Sequence, residues 1–135
     1  MASIFKEALI EASAESVWDA VRDFSAVHTR LAPGFATDAK MDGDARIVTF
    51  ANGNVARELF VDCNDARRRL VYAIVGERIK QHSASVQIIE DGGTRCKFIW
   101  TVDMLPNEIA PYMSSQMDLG IAAMKANLER VAAAA

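Results

Sequence analysis

Cys96, Phe98, Trp100, Val102 and Met104 alternate with Arg95, Lys97, Ile99, Thr101 and Asp103. Side chains two apart share one face of a β-strand, so residues 94–104 read as a strand with one apolar and one wetted face. The rest of the chain sorts in the same way. Residues 3–11 are short, mostly apolar and strand-like. Ser13 then offers a hydroxyl cap, and Val17, Trp18, Val21 and Phe24 fall at helical spacing across 14–24. Residues 25–31 read as a second short helix, stopped by Pro33-Gly34. A run of strands follows at 35–40, 45–50, 55–63, 69–75, 79–89 and 94–104. Turn signals separate them: Asp42-Gly43, Asn52-Gly53, Asn64-Asp65, Gly76 and Asp91-Gly92-Gly93. Pro106 ends the run, and 108–131 reads as one long helix with Ile109, Met113, Met117, Gly120, Ile121, Met124, Leu128 and Val131 on its apolar face. Pro111 sits in its first turn, where the missing N–H costs little, and Lys125 and Arg130 lie near its C-terminal end.

Short connections between successive strands favour an antiparallel meander. The expected fold is therefore α+β: six to seven antiparallel strands that curl, two short helices after the first strand, and a long C-terminal helix on the concave side. The chain has 135 residues, enough for one domain spanning 1–135 with a real core, and 131–135 is expected to fray.

Composition narrows the function. Apolar residues make up 51% and charged residues 24%, a globular balance. With 15 basic and 18 acidic residues the formal net charge is −3, so no nucleic-acid partner is expected. No apolar run approaches the roughly 18 residues a membrane span needs, so no membrane insertion is expected. Two cysteines, Cys63 and Cys96, lie far apart and outside any metal-binding spacing, and a reduced cytoplasmic setting is the default. Two histidines without nearby ligand spacing make neither a metal nor another cofactor an expectation. His28 reads as a surface or cap residue, and Arg67-Arg68-Arg69 as a solvated run offset by Asp62 and Asp65.

The segments IEASAESVWDAVRDFSAVHTRLAPG, VARELFVDCNDARRRLVYAIVGERIKQHSASVQII and DGGTRCKFIWTVDMLP, in that order, resemble the Bet v 1-like or START-like (SRPBCC) superfamily. The bacterial polyketide cyclase/dehydrase and lipid-transport proteins are the part of it most similar to this chain. The resemblance implies a helix-grip fold, in which the curved sheet wraps the long helix around an apolar pocket. It also implies a pocket glutamate at Glu58, which precedes Leu59. His82 stands where related plant hormone receptors carry a pocket tyrosine, and residues 51–55 stand where they carry a mobile gate. Their gate sequence is absent, so hormone perception is not carried over.

Counting about the turns places Glu58, Tyr72, His82 and Trp100 in one row across four strands. The expected ligand-binding set is Phe35, Glu58, Phe60, Tyr72, His82, Phe98, Trp100, Met113, Met117 and Met124. The methionine stripe is either plain core or the lining of an adaptable pocket. Three functions stay open. The first is binding of a small hydrophobic partner: a lipid, an aromatic polyketide-like compound or a similar metabolite. The second is a cyclase or dehydratase with His82 as acid/base and Glu58 as second choice. The third is an interaction protein with a collapsed cavity. A homodimer is also left open.

Overall fold

The computed structural model covers residues 1–135. Its seven strands are β1 (Ala2–Ile10), β2 (Ala36–Asp42), β3 (Ala45–Phe50), β4 (Val55–Asn64), β5 (Arg69–Val75), β6 (Gln81–Glu90) and β7 (Cys96–Leu105). They form one antiparallel sheet in the order β1-β7-β6-β5-β4-β3-β2. From β2 to β7 each strand pairs with its neighbour in sequence, and β1 closes the far edge against β7. Helix α1 (Ala14–Arg22) and two short turns, Phe24–Ala26 and Val27–Leu31, connect β1 to β2. Helix α2 (Ala110–Ala134) ends the chain, and together these elements make the helix-grip α+β fold.

Alternation decides the sheet's two faces. Along β7, Cys96, Phe98, Trp100, Val102 and Met104 are all buried while the residues between them are only half-buried, and β6 repeats the pattern. Phe98, Ile88, Leu70, Val102 and Met104 are fully buried, each contributing about 1.5–3 kcal/mol of apolar transfer.

Polar contacts at three places fix the helices on this core. Ser13 caps α1, its Oγ accepting from the Ser16 N–H at 3.2 Å. Trp18 Nε1 and Arg22 Nε both donate to Asp65 Oδ1 at 2.9 Å, tying α1 to the β4–β5 turn. Asp65 is thus committed to α1 rather than to the arginine run beside it. Helix α2 is held along β1 by a Lys6–Asp118 ion pair at 2.9 Å and by Lys125 Nζ donating to the Leu9 carbonyl at 2.6 Å. The Glu129 carboxylate accepts from the Glu11 N–H at 2.9 Å, near the same end.

The helical segments depart from expectation in three respects. Residues 25–31 are helical as expected, but in two pieces rather than one. The Phe24–Ala26 turn runs into a wide turn, in which the Ala32 N–H donates to the Val27 carbonyl at 2.8 Å. Buried Asn127 on α2 donates to the Arg30 carbonyl at 3.0 Å, satisfying a group that such a turn leaves free. Asn127 thus takes a buried place on the helix, whereas Val131 is exposed. At its start α2 is preceded by a tight turn at Asn107–Ile109, and at its end it continues through the alanine run to Ala134. Alanine has the highest helix propensity, which favours that extension.

Candidate functional site

A cavity of about 540 Å³ lies between the sheet and α2. Its walls come from β3 to β7, Val21 on α1, the 27–36 segment, Arg78 and Ile79 of the β5–β6 loop, and α2 as far as Met124. Of its 28 lining residues 22 are hydrophobic, so the few polar groups in it stand out. Phe35, Trp100, Met113, Met117 and Met124 supply part of the apolar wall, and Glu58, Tyr72 and His82 reach it as polar groups. Gly120 lets α2 approach closely: a Cβ there would lie 3.1 Å from the Phe35 ring and 3.2 Å from the Trp100 ring.

Phe60 and Phe98 do not line this cavity. Phe60 sits at a register shift between Phe60 and Asp62, and its ring packs edge-on against Phe24 at 5.4 Å. Phe98 pairs with Ala8 and Ile88, at the end of the sheet that α1 covers. Sharing a face with Trp100 is therefore not the same as sharing a cavity with it.

The expected row is also displaced. Glu58 lies opposite Ile74, Tyr72 opposite Ala84, and His82 opposite Met104. Each hairpin loop carries more residues than the turn signal suggested. Beyond Glu77 and Arg78, an isolated Gly76–Ile79 bridge and Lys80 lengthen the β5–β6 connection. The β6–β7 loop is closed by the Asp91 N–H donating to the Arg95 carbonyl, which centres it on Gly93. All three displacements are even, so every residue stays on its face: Tyr72 lies diagonal to Glu58 and to His82, while Trp100, four residues from the partner of His82, reaches Tyr72 instead.

Their hydrogen bonds set what each can do. Trp100 Nε1 donates to the Tyr72 hydroxyl oxygen at 3.1 Å, leaving the tyrosine's own proton without a protein acceptor. Burial, aided by the Glu58 charge, pushes the Tyr72 hydroxyl above its ordinary range. The Ile74 N–H donates to His82 Nδ1 at 3.0 Å. An imidazole whose Nδ1 accepts carries its proton on Nε2 and is neutral. Burial lowers the His82 pKa to about 4, which favours that neutral form at pH 7.

Glu58 has a partner that the sequence reading passed over. Arg46 on β3 lies directly opposite it, and its Nε and Nη2 both reach Glu58 Oε1 at 2.8 Å. Arg46 Nη1 donates to the Phe24 carbonyl at 3.0 Å, and the guanidinium lies 3.9 Å over the Phe24 ring. Both side chains of the pair are 6% exposed. Counting about the Asn52-Gly53 pair would set position 46 across from position 59; the hairpin is centred on Asn52 alone, and that one-residue difference brings Arg46 onto the face of Glu58.

Around the cavity wall, four further polar residues were not anticipated: Asn54, Arg78, Tyr112 and Gln116. Asn54 Nδ2 donates to the Tyr112 hydroxyl at 2.5 Å, and Asn52 Nδ2 donates to the same oxygen at 3.0 Å. The β3–β4 turn is thereby joined to the start of α2. No helix is long and apolar enough to cross a membrane.

This architecture is shared. A model of the family described as polyketide cyclase/dehydrase and lipid transport matches residues 1–134. The chain belongs to that family. Among solved structures, a Bacillus thuringiensis protein of uncharacterised function superposes with a TM-score of 0.83 at 18% identity, covering 94% of this chain and 98% of its own. A Thermobifida fusca protein reaches 0.78 at 26% identity, covering 96% of this chain and 91% of its own. Norcoclaurine synthase from Thalictrum flavum, as a point mutant with a transition-state analogue, reaches 0.74 at 16% identity. That match covers 94% of this chain and 93% of the synthase. Among curated proteins none matches. The family's description spans catalysis and transport, so membership establishes a fold suited to ligands and leaves the chemistry to the site.

Proposed function

We propose that this protein binds one small apolar molecule between α2 and the concave sheet. The observation that supports this most is the cavity itself. At about 540 Å³ it falls inside the range of small-molecule sites, and its lining is mostly apolar with a few placed polar groups. Apolar burial supplies the affinity, and Tyr72 and His82 orient the ligand. Met113, Met117 and Met124 let the wall adapt, because thioethers fit irregular shapes. The lipid-transport half of the family description agrees with this reading. An open space of this size speaks against the collapsed-cavity alternative.

The cyclase or dehydratase reading has the other half of that description and the synthase likeness behind it. The site's protonation states weigh against it. His82 has no free basic nitrogen, Glu58 is held by Arg46, and burial opposes ionisation of Tyr72. Conversion of a bound compound by wild type, lost in His82→Ala, would restore the enzymatic reading.

The test of binding is titration with N-phenyl-1-naphthylamine, which fluoresces strongly only when shielded from water. The expected result is saturable uptake at one probe per chain. Met117→Trp, which fills the cavity, is expected to abolish uptake while the chain stays folded. No uptake by wild type, or undiminished uptake by the folded variant, would overturn the proposal.

A further inference from the structure

The polar groups of the cavity differ in whether they are already satisfied. Arg46, the cation buried deepest, has its charge met by Glu58 and a further N–H bond met by the Phe24 carbonyl. His82 is buried at 6% exposure, and its Nδ1 is occupied by the Ile74 N–H. Its Nε2–H has no protein acceptor. The Tyr72 hydroxyl accepts from Trp100 and has no protein acceptor for its own proton. The two rings lie 6.2 Å apart, centre to centre, tilted by 38°. The apolar interior therefore presents two neighbouring donors, both on uncharged groups.

We infer that the ligand is an uncharged molecule whose apolar body carries a carbonyl oxygen, held by Tyr72 and His82, and that carboxylates and amines are excluded from this end of the cavity. This rests on the binding reading above and specifies its ligand class.

The sign of the selectivity follows from charge. A carboxylate could accept from both donors, but it would be buried near Glu58, where Arg46 is already paired and the other guanidinium of the wall, Arg78, is exposed on the β5–β6 loop rather than buried beside the two donors. Protonating His82 to supply that cation would break its bond to the Ile74 N–H. An ammonium would find Glu58 already neutralised and two donors facing it. A plain hydrocarbon would displace solvent from both donors and leave them unpaired. A ketone or ester oxygen satisfies them without bringing charge into the cavity, and charge is what such an interior penalises most.

The probes are 2-acetylnaphthalene, its hydrocarbon counterpart 2-isopropylnaphthalene, and 2-naphthoate at pH 8, each displacing N-phenyl-1-naphthylamine. In Tyr72→Phe the ketone-to-hydrocarbon affinity ratio is expected to fall about tenfold, the scale of one buried hydrogen bond. In the wild type, 2-naphthoate is expected to bind at least about tenfold more weakly than the ketone, the penalty of an unmatched charge. A readout that needs no variant is the infrared carbonyl stretch of bound 2-acetylnaphthalene, expected below its value in hexane because the oxygen accepts hydrogen bonds. A hexane-like stretch, or a ratio unchanged in Tyr72→Phe, overturns the ligand class while binding of the hydrocarbon leaves the binding reading standing. Naphthoate binding as tightly as the ketone also overturns it. If none of the probes binds, the binding reading fails and this inference fails with it.

Discussion

Replacing Glu58 with leucine should show how strongly the buried Arg46–Glu58 pair organises the cavity wall. Both partners are 6% exposed and meet at 2.8 Å. Removing one partner of such a pair costs about 3–5 kcal/mol, because the other charge stays buried without compensation. Arg46 would keep its bond to the Phe24 carbonyl and its position over the Phe24 ring. Those contacts place the expected loss near the lower end, about 3 kcal/mol. With a urea dependence of about 2 kcal/mol per molar, the unfolding midpoint should drop by about 1.5 M. The double variant Arg46→Met, Glu58→Leu removes both charges and leaves apolar groups of similar volume. It should be more stable than the two single losses added together by at least about 2 kcal/mol. Urea titrations followed by tryptophan fluorescence and circular dichroism give all four corners of this cycle. A Glu58→Leu midpoint within about 0.5 M of wild type, or single losses that add in the double variant, would refute the reasoning.

Other expectations follow from single residues. His82 titrates at about 4 in the fold against about 6.5 in the unfolded chain, so its contribution to stability is complete above pH 6.5 and lost as pH falls towards 4. The difference in unfolding free energy between wild type and His82→Gln should shrink across that window, by about 3 kcal/mol, and stay constant from pH 7 to 8. Removing the α1 cap with Ser13→Ala should cost about 1 kcal/mol, read as a lower melting temperature with no change in probe affinity. Gly120→Ala should leave stability within about 1 kcal/mol of wild type, since helix propensity offsets crowding of Phe35 and Trp100. Both rings border the cavity and can yield into it, so probe binding should weaken.

Much of the fold is legible in the chain because its signals are local. The strands Ala45–Phe50 and Arg69–Val75 fall where alternation and turn pairs put them, and Ser13 caps the helix it precedes. The pairing of Tyr72 with Ala84 was not legible, because loop length depends on geometry rather than on residue type: Lys80 lies in the β5–β6 connection where no turn rule requires it, and the β6–β7 loop runs past its glycine pair to Arg95. Face assignments survived only because the displacements were even. Phe60 and Phe98 show a second limit. Periodicity tells which side a residue faces, but the neighbour waiting there, Phe24 or helix α1, is a matter of tertiary packing. Arg46 shows a third. An arginine on a short strand next to Asp44 reads as exposed by composition, and only the hairpin's actual register, centred on Asn52, sets it across from Glu58 and inside.

The central claim is that the space between α2 and the sheet takes up one apolar molecule, and the six methionines make a built-in reporter. Met113, Met117 and Met124 line the cavity. Met1 and Met41 are exposed, at 65% and 48%, and Met104 is fully buried away from it. The decisive measurement is a methyl NMR titration of protein labelled at the methionine methyls, with N-phenyl-1-naphthylamine as ligand. The expected result is that the Met113, Met117 and Met124 signals move and saturate together at one equivalent while those of Met1, Met41 and Met104 stay in place. Shifts confined to Met1 or Met41, or no shift at any methionine under saturating probe, would contradict the account.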